Sequence, residues 1–345
     1  MSKYKTNILE LFRARYEEDS QYIEPWMVNW TYQDRLTQRQ SKYEDELPQD
    51  FYEYNDPNDI SEWMNWLKVD KPDFFQDELI NPLIEKSTSF DKKLIEEHNI
   101  EFDFKGYKNG LARNNAQDYL MANMYPMQGP SKGRKVLDFG SGFGRQANLW
   151  CQMEDEDYLH VSMDAIPKSY CLQHFYYSNV DRVYCDYVID KDKFKLDDQS
   201  KGIYHLPTWR FDLIPDNYFD KILVVQVLQE LNEKLVKHVI KEFNRILKPT
   251  GSLYLRDHGN SWRPAHTLDI DQYLAEKGGF TLEYKMHAID KKEVHGIPRI
   301  WKKTNFEVLK QEKVSNKQRL IETKQQLDSL TGGKVKKFIK SLLGK

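Results

Sequence analysis

Five residues near the middle of the chain have the types and spacing to hold a ligand. Asp138, Gly140, Gly142 and Gly144 lie in Val136-LDFGSGFGR, and Asp164 follows twenty residues after the last glycine. Glycine lets backbone turn tightly or lie directly against a bound molecule. An acid two residues before the first glycine would repel a pyrophosphate, which weighs against the dinucleotide reading of a G-x-G-x-x-G-like run. It would attract a cation, such as the α-amino group of a methionine-like ligand. No Gly-Lys-Ser/Thr follows, so a P-loop is excluded. Asp164 ends the apolar run His160-VSMD and can accept both hydroxyls of a ribose. A plain strand-to-helix turn is the competing reading.

A second group could do proton chemistry. Glu230 follows the apolar run Ile222-LVVQVL, and Arg256, Asp257 and His258 end Ser252-LYLRDH. His258 is the candidate general base, because imidazole titrates near ~6.5. Asp257 would orient it or bind a cation, and Glu230 would bind an acceptor hydroxyl. In the structural alternative, Arg256 pairs with Asp257, His258 caps a loop and Glu230 begins a helix. His266 and His295 are weaker candidates.

These residues need elements to position them. Lys135-VLDFG, Tyr158-LHVSMD, Tyr218-FDKILVVQVL and Ser252-LYLRDHG read as buried strands. Between them, Arg145-QANLWCQM, Lys168-SYCLQHFYYSN and Glu233-KLVKHVIKEFNRILKP read as helices. In the last of these, Leu235, Val239, Phe243 and Leu247 recur about every fourth residue, and Pro249, Thr250 and Gly251 stop it. Such alternation implies parallel pairing in a doubly wound, Rossmann-like α/β sheet. Thr267-LDIDQYLAEKGGF then predicts a glycine-capped helix, and Thr281-LEYKMHAID and Gly296-IPRIWKKT a closing pair of strands. Three regions are expected: a mainly helical cap over 1–115, the α/β domain over 116–309, and a polar helical tail over 310–345.

Bulk composition bounds the class. The 345 residues are 39% hydrophobic and 13% aromatic, enough for a sizeable core. With 30% charged residues and a mean hydropathy of -0.78, a soluble, cytoplasmic protein is expected. No apolar run is long enough to span a bilayer, and the N-terminus lacks the marks of a signal peptide. Cys151, Cys171 and Cys185 show no pairing or zinc-type spacing. Net charge is -3, and residues 1–60 carry 7 Lys/Arg against 13 Asp/Glu, which argues against a nucleic-acid partner.

With these residues in place, the chain resembles the class I S-adenosylmethionine-dependent methyltransferases over about 116–305. The resemblance rests on D-x-G-x-G-x-G with an acid ending the next strand. It also rests on Leu213-IPDNYFDKILVVQVLQEL, similar to the family's "DNSFD" segment, and on Arg245-ILKPTGSLYL, similar to its "R-x-L-K-P-G-G" turn. Thr250 stands where the family has the first glycine of that turn. The resemblance implies S-adenosylmethionine as cofactor and a seven-stranded sheet with Ile297-PRIWKKT inserted antiparallel. It implies that Asp138, Gly140, Ser141, Gly142 and Gly144 hold the methionine end and Asp164 the ribose. Ala165 and Ile166 would lie near the adenine, with Trp209 or Arg210 as a further adenine contact. Gln226 would face the sulfonium and the acceptor.

A looser resemblance, on His205-LPTW, Leu255-RDHG and His295-GIPRIW, is to bacterial sugar O-methyltransferases of polysaccharide and lipopolysaccharide pathways. It implies a small-molecule or glycan acceptor, for which Trp26, Trp30, Trp63 and Trp66 offer aromatic faces. No metal is expected, because the paired aspartates of metal-using relatives are absent. Three alternatives stand beside this reading: a tRNA methyltransferase, since Arg256-Asp257-x-Gly259 is similar to an "R-D-Y-G" motif; a protein methyltransferase; and a cofactor-binding regulatory subunit. The terminal Lys334-VKKFIKSLLGK sets Val335, Phe338, Leu342 and Leu343 among five lysines. It is expected to touch an anionic membrane surface, which would place the protein peripherally at the inner membrane.

Overall fold

The alternation of apolar runs and amphipathic helices becomes one eight-stranded sheet in the computed structural model, which describes residues 7–28, 54–65, 75–123, 133–257, 266–286 and 296–304. The strands are β1 (Lys135–Phe139), β2 (Leu159–Asp164), β3 (Tyr184–Asp186), β4 (Gly202–Pro207), β5 (Phe219–Val225), β6 (Leu247–Asp257), β7 (Phe280–Lys285) and β8 (Ile297–Lys303). Their order is β3-β4-β2-β1-β5-β6-β8-β7. The pairs among β1–β6 are parallel, whereas β8 runs antiparallel between β6 and β7. The antiparallel insertion agrees with expectation, but the count of seven strands does not. The extra strand is β3, three residues at the sheet's edge, too short to leave an apolar run in the sequence.

The described helices are α1 (Ile8–Asp19), α2 (Ile60–Asn65), α3 (Asp77–Glu97), α4 (Arg113–Asn123), α5 (Arg145–Met153), α6 (Pro167–Tyr177) and α7 (Glu233–Ile246), with shorter turns between them. Successive residues of a strand face opposite sides, and the core divides accordingly. Leu137, Phe139, Val161, Ile222 and Leu253 pack on one face against Val239, Ile240 and Phe243 of α7. Val136, Leu223, Tyr254 and Ile300 pack on the other, against residues of α3, α4, α5 and α6. Helix α7 forms because its apolar residues share one stripe and because Asn232 caps its first turn, accepting the Leu235 amide at 2.9 Å. It ends at Ile246, before the proline expected to stop it, because β6 already starts at Leu247 and pairs with Phe219. The helix expected after Thr267 shrinks to Ile270–Tyr273 and one π turn, closed by left-handed Gly279.

The chain divides into two compact units, Met1–Lys303 and Thr304–Lys345. The expected basic tail lies outside the described residues, as do Trp30, Trp66, His258 and His295. Among the described residues no helix is long and apolar enough to cross a membrane.

Candidate functional site

The C-terminal ends of β1, β2 and β5 surround a cavity of about 200 Å³. This is where ligands sit in parallel α/β sheets, at the point where strand order reverses direction. Here that point lies between β1 and β5.

The glycine turn between β1 and α5 forms one wall. Gly140, Gly142 and Gly144 all have positive φ, of 72°, 62° and 95°. The three glycines meet different neighbours. A Cβ on Gly140 would lie 2.3 Å from Val227 Cγ2, and one on Gly144 would lie 2.5 Å from the Tyr177 ring. Among the described residues, a Cβ on Gly142 would meet only the Trp63 ring, at 3.8 Å. Gly140 and Gly142 therefore line the cavity, with Ser141, whereas Gly144 caps α5 and faces Tyr177. The Gly140 amide donates to the Met163 carbonyl at 2.8 Å, tying the turn to β2.

Asp138 lines the same wall and is buried, and its Oδ2 has no hydrogen-bond partner among the described residues. Burial pushes its pKa up to about 7; the nearby Arg145 guanidinium opposes the shift, and the Asp164 and Asp118 carboxylates add to it. His160 stands behind it, with Nε2 3.9 Å from Oδ2. Tyr158 lies 2.8 Å from His160 Nδ1, and burial lowers the histidine's pKa to about 3, so His160 is neutral. A cationic group entering the cavity would satisfy the orphaned carboxylate oxygen.

Asp164, at the end of β2, accepts the Ala165 and Ile166 amides on Oδ1, at 2.8 and 3.0 Å, and the Gln173 amide on Oδ2 at 3.1 Å. The Gly142 amide is a further donor to this carboxylate, so a ligand hydroxyl would share its roughly four acceptor positions with the donors already there. Burial raises its pKa to about 6 against these hydrogen bonds. Ala165, Ile166, Ser169 and Thr208 continue the wall beyond it.

Next to Gly140, the loop after β5 lines the cavity with Gln226, Val227 and Glu230. Gln226 is left-handed, with φ 59°, and its amide donates to the Arg256 carbonyl at 2.7 Å. Such a conformation costs a non-glycine residue about 1 kcal/mol or more, which the bond to β6 offsets. Trp63 and Arg145 also line the cavity. Trp63 is positioned by its neighbours on α2 and the preceding turn: Glu62 and Asp59 lie 2.9 and 3.6 Å from the ammonium of Lys168, which is fully buried at the start of α6.

Several expected site residues sit elsewhere. Trp209 and Arg210 do not line the cavity. The Trp209 indole and the Arg210 guanidinium each donate to Asp19 at 3.1 Å, so they anchor α1. Thr208 takes their expected place. Asp257 lies behind the cavity wall, where its Oδ1 accepts the Val227 amide at 3.2 Å. Through Oδ1 it braces the loop, and its Oδ2 has no hydrogen-bond partner among the described residues. Arg256 does not pair with Asp257; its guanidinium grips Asp118 of α4 at 2.6 and 2.8 Å. His266 holds a loop together, with Nε2 3.0 Å from the Leu228 carbonyl and Nδ1 accepting the Leu268 amide. Sequence reasoning missed Arg145 and Gln146, although both directly follow the glycine turn. It singled out Trp63 only as an aromatic face for a sugar, because nothing near residue 63 signals contact with residue 142.

A family model described as a methyltransferase domain matches residues 137–255, the stretch that carries both cavity acids and the β5 loop. No curated protein matches the chain. Among solved structures, the PH0226 protein of Pyrococcus horikoshii is 15% identical, over 55% of this chain and 89% of that one, with a TM-score of 0.39. A TehB-like SAM-dependent methyltransferase from Corynebacterium glutamicum is 13% identical over 63% and 98%, with a TM-score of 0.39. The arsenic(III) S-adenosylmethionine methyltransferase of Chlamydomonas reinhardtii is 17% identical over 50% and 64%, with a TM-score of 0.35. These structural likenesses are too distant to carry an argument. The family match over 137–255 and the site agree on S-adenosylmethionine as the cofactor. Among the lining residues, Asp138 could hold the cofactor's amino group, Gly142 leaves open space beside it, and Asp164 could meet a ribose hydroxyl.

Proposed function

We propose that this protein transfers the methyl group to a hydroxyl of a sugar in a polysaccharide or lipopolysaccharide pathway. The observation that carries the reading is the lining that the loop after β5 adds to the cavity. Glu230 and Gln226 stand there, and Trp63 lines the same cavity over Gly142, so a carboxylate, an amide and an indole border one space. Sugars bind through such a mixture, hydroxyls to carboxylate and amide and C–H faces to an aromatic ring.

When bound, S-adenosylmethionine supplies an electrophilic methyl on a sulfonium. The protein's part is then to bring an acceptor oxygen into line with it, a proximity effect, and to remove the oxygen's proton. Glu230 would bind the acceptor hydroxyl or its neighbour. Asp257 holds Val227, and with it the loop that carries Gln226 and Glu230. His258 would take the proton; it follows β6 directly and lies outside the described residues.

The test is release of S-adenosylhomocysteine by purified protein offered sugar nucleotides, lipid-linked oligosaccharides, tRNA or peptides. Turnover with a sugar acceptor alone is expected, slowed at least ~10²-fold by His258→Ala with cofactor affinity unchanged. Turnover with tRNA or peptide but no sugar would overturn the acceptor assignment. Unchanged turnover in the variant would remove His258 as the base.

A further inference from the structure

A chain of buried polar side chains runs from the cavity's ribose acid out to the edge strand. Gln173, on α6, points its amide nitrogen at two acceptors, the Gly142 carbonyl at 2.6 Å and Asp164 Oδ2 at 3.1 Å. Its amide oxygen faces His205 Nε2 at 2.8 Å. A flipped amide would set oxygen against two oxygens, so those two acceptors fix the orientation, and His205 Nε2 must then be the donor to the amide oxygen. His205, on β4, is stacked under Tyr170 with ring centroids 3.6 Å apart, and its Nδ1 lies 3.2 Å from Asp186 Oδ2. Asp186, on β3, accepts the Tyr170 and Tyr184 hydroxyls at 2.9 and 2.6 Å and the Val188 amide at 2.8 Å. Burial works against its charge, but His205 and a hydrogen bond from His174 hold its pKa below the usual carboxylate range. Gln173 and His205 are fully buried, and neither lines the cavity.

Such a chain costs desolvation unless every member is satisfied, and an apolar core would fill the same volume. What distinguishes it is where its inner end stops. The amide of Gln173 joins the two parts of the cofactor site that come from different strands, the glycine turn after β1 and the acid ending β2. It also occupies Oδ2 of Asp164, whereas two backbone amides occupy Oδ1. We propose that Gln173, backed by His205 and Asp186, is a positioning residue for the cofactor's ribose, aiming Asp164 Oδ2 at a single hydroxyl and keeping the Gly142 carbonyl at a set distance from it. The inference rests on the S-adenosylmethionine reading of the cavity.

The experiment is calorimetric binding of S-adenosylhomocysteine and of its 2′-deoxy and 3′-deoxy analogues to the full chain. Wild type should bind one of the two analogues about tenfold or more weakly than the parent, the loss expected for a hydrogen bond to a charged group. Gln173→Met should weaken the parent and cut that ratio to about threefold or less. A residue that merely supports the fold would weaken all three ligands alike and leave the ratio intact. Gln173→Asn, which keeps the core polar but withdraws the amide, should give the same collapse and covers the case in which the methionine variant does not fold. An unchanged ratio in either folded variant overturns the proposal, as does a wild type that binds both analogues as tightly as the parent. A wild type that binds no S-adenosylhomocysteine overturns the cofactor reading itself.

Discussion

Gly140 and Gly142 stand two residues apart with similar backbone angles, yet they answer different demands. Gly140 makes room for Val227 of the same protein, whereas Gly142 leaves room for what enters the cavity. Gly140→Ala should therefore lower the midpoint of thermal unfolding markedly, since a methyl 2.3 Å from a valine methyl cannot be accommodated without backbone movement. Gly142→Ala meets only left-handed strain, of about 1–2 kcal/mol, but should weaken S-adenosylhomocysteine binding out of proportion to its effect on stability. Equal effects of both variants on both measurements would contradict this division. Asp138 carries the second prediction at this scale. Its pKa of about 7 means that the ligand-free protein holds a proton at pH 6 that an unfolded chain would release. Stability of the empty protein is thus highest below about pH 4 as far as this group is concerned, and falls as pH rises to 7. Binding of an ammonium group has the opposite sign, because it needs the carboxylate. Affinity for S-adenosylhomocysteine should rise by up to about tenfold per pH unit between 5.5 and 7, then level off. Calorimetry across that range checks it, and Asp138→Asn should remove the part of the slope centred near 7. Asp138, Gly140, Gly142 and Asp164 were legible in the sequence because their chemistry is set by spacing within one βαβ unit. Trp209 and Arg210 were misread for the converse reason. Their position just after β4 suggested the cavity, but Asp19, 190 residues before the tryptophan, holds them elsewhere.

Between elements, the determining contacts are charged and buried. Arg256 of β6 and Asp118 of α4 form a two-pronged pair, both about 3% exposed, and the Tyr254 hydroxyl donates to the same carboxylate at 2.7 Å. A buried pair adds little over an apolar replacement, but removing one partner strands the other charge. Asp118→Asn should accordingly lower the unfolding free energy in urea by about 3–5 kcal/mol, and replacing both residues with apolar ones of similar size should restore most of it. A single-variant loss under about 1 kcal/mol would show that the guanidinium finds another partner. This docking of α4 on the sheet was invisible in the sequence, where Asp118 is one acid among many. By contrast α7 and β5 were readable throughout, because a stripe at helical spacing and an unbroken apolar run each have one physical solution. Strand β3 was missed since edge pairing of three residues, including Asp186, needs no apolar pattern.

The molecule as a whole draws on distant parts of its chain to make one site. Helix α1 is tied by Asp19 to residues after β4, and the segment around α2 lays Trp63 over Gly142 while Lys168 anchors it. Sequence order placed these helices ahead of the sheet and suggested a cap, whereas α3 and α4 pack directly on one of its faces. Strand β8 extends the same dependence to the other end. It lies between β6 and β7, so the edge of β6 beyond β5 has its partner only from Ile297–Lys303. During synthesis the parallel core can assemble strand by strand, but β6 must wait with an open edge until that late segment is made. An unpaired apolar edge is a template for wrong pairing. Nascent chains arrested before Ile297 has left the ribosome should therefore recruit chaperones and be cleaved readily by protease, with protection appearing abruptly once Lys303 is free. The insertion that completes the sheet thus also sets the moment at which the newborn chain stops being vulnerable.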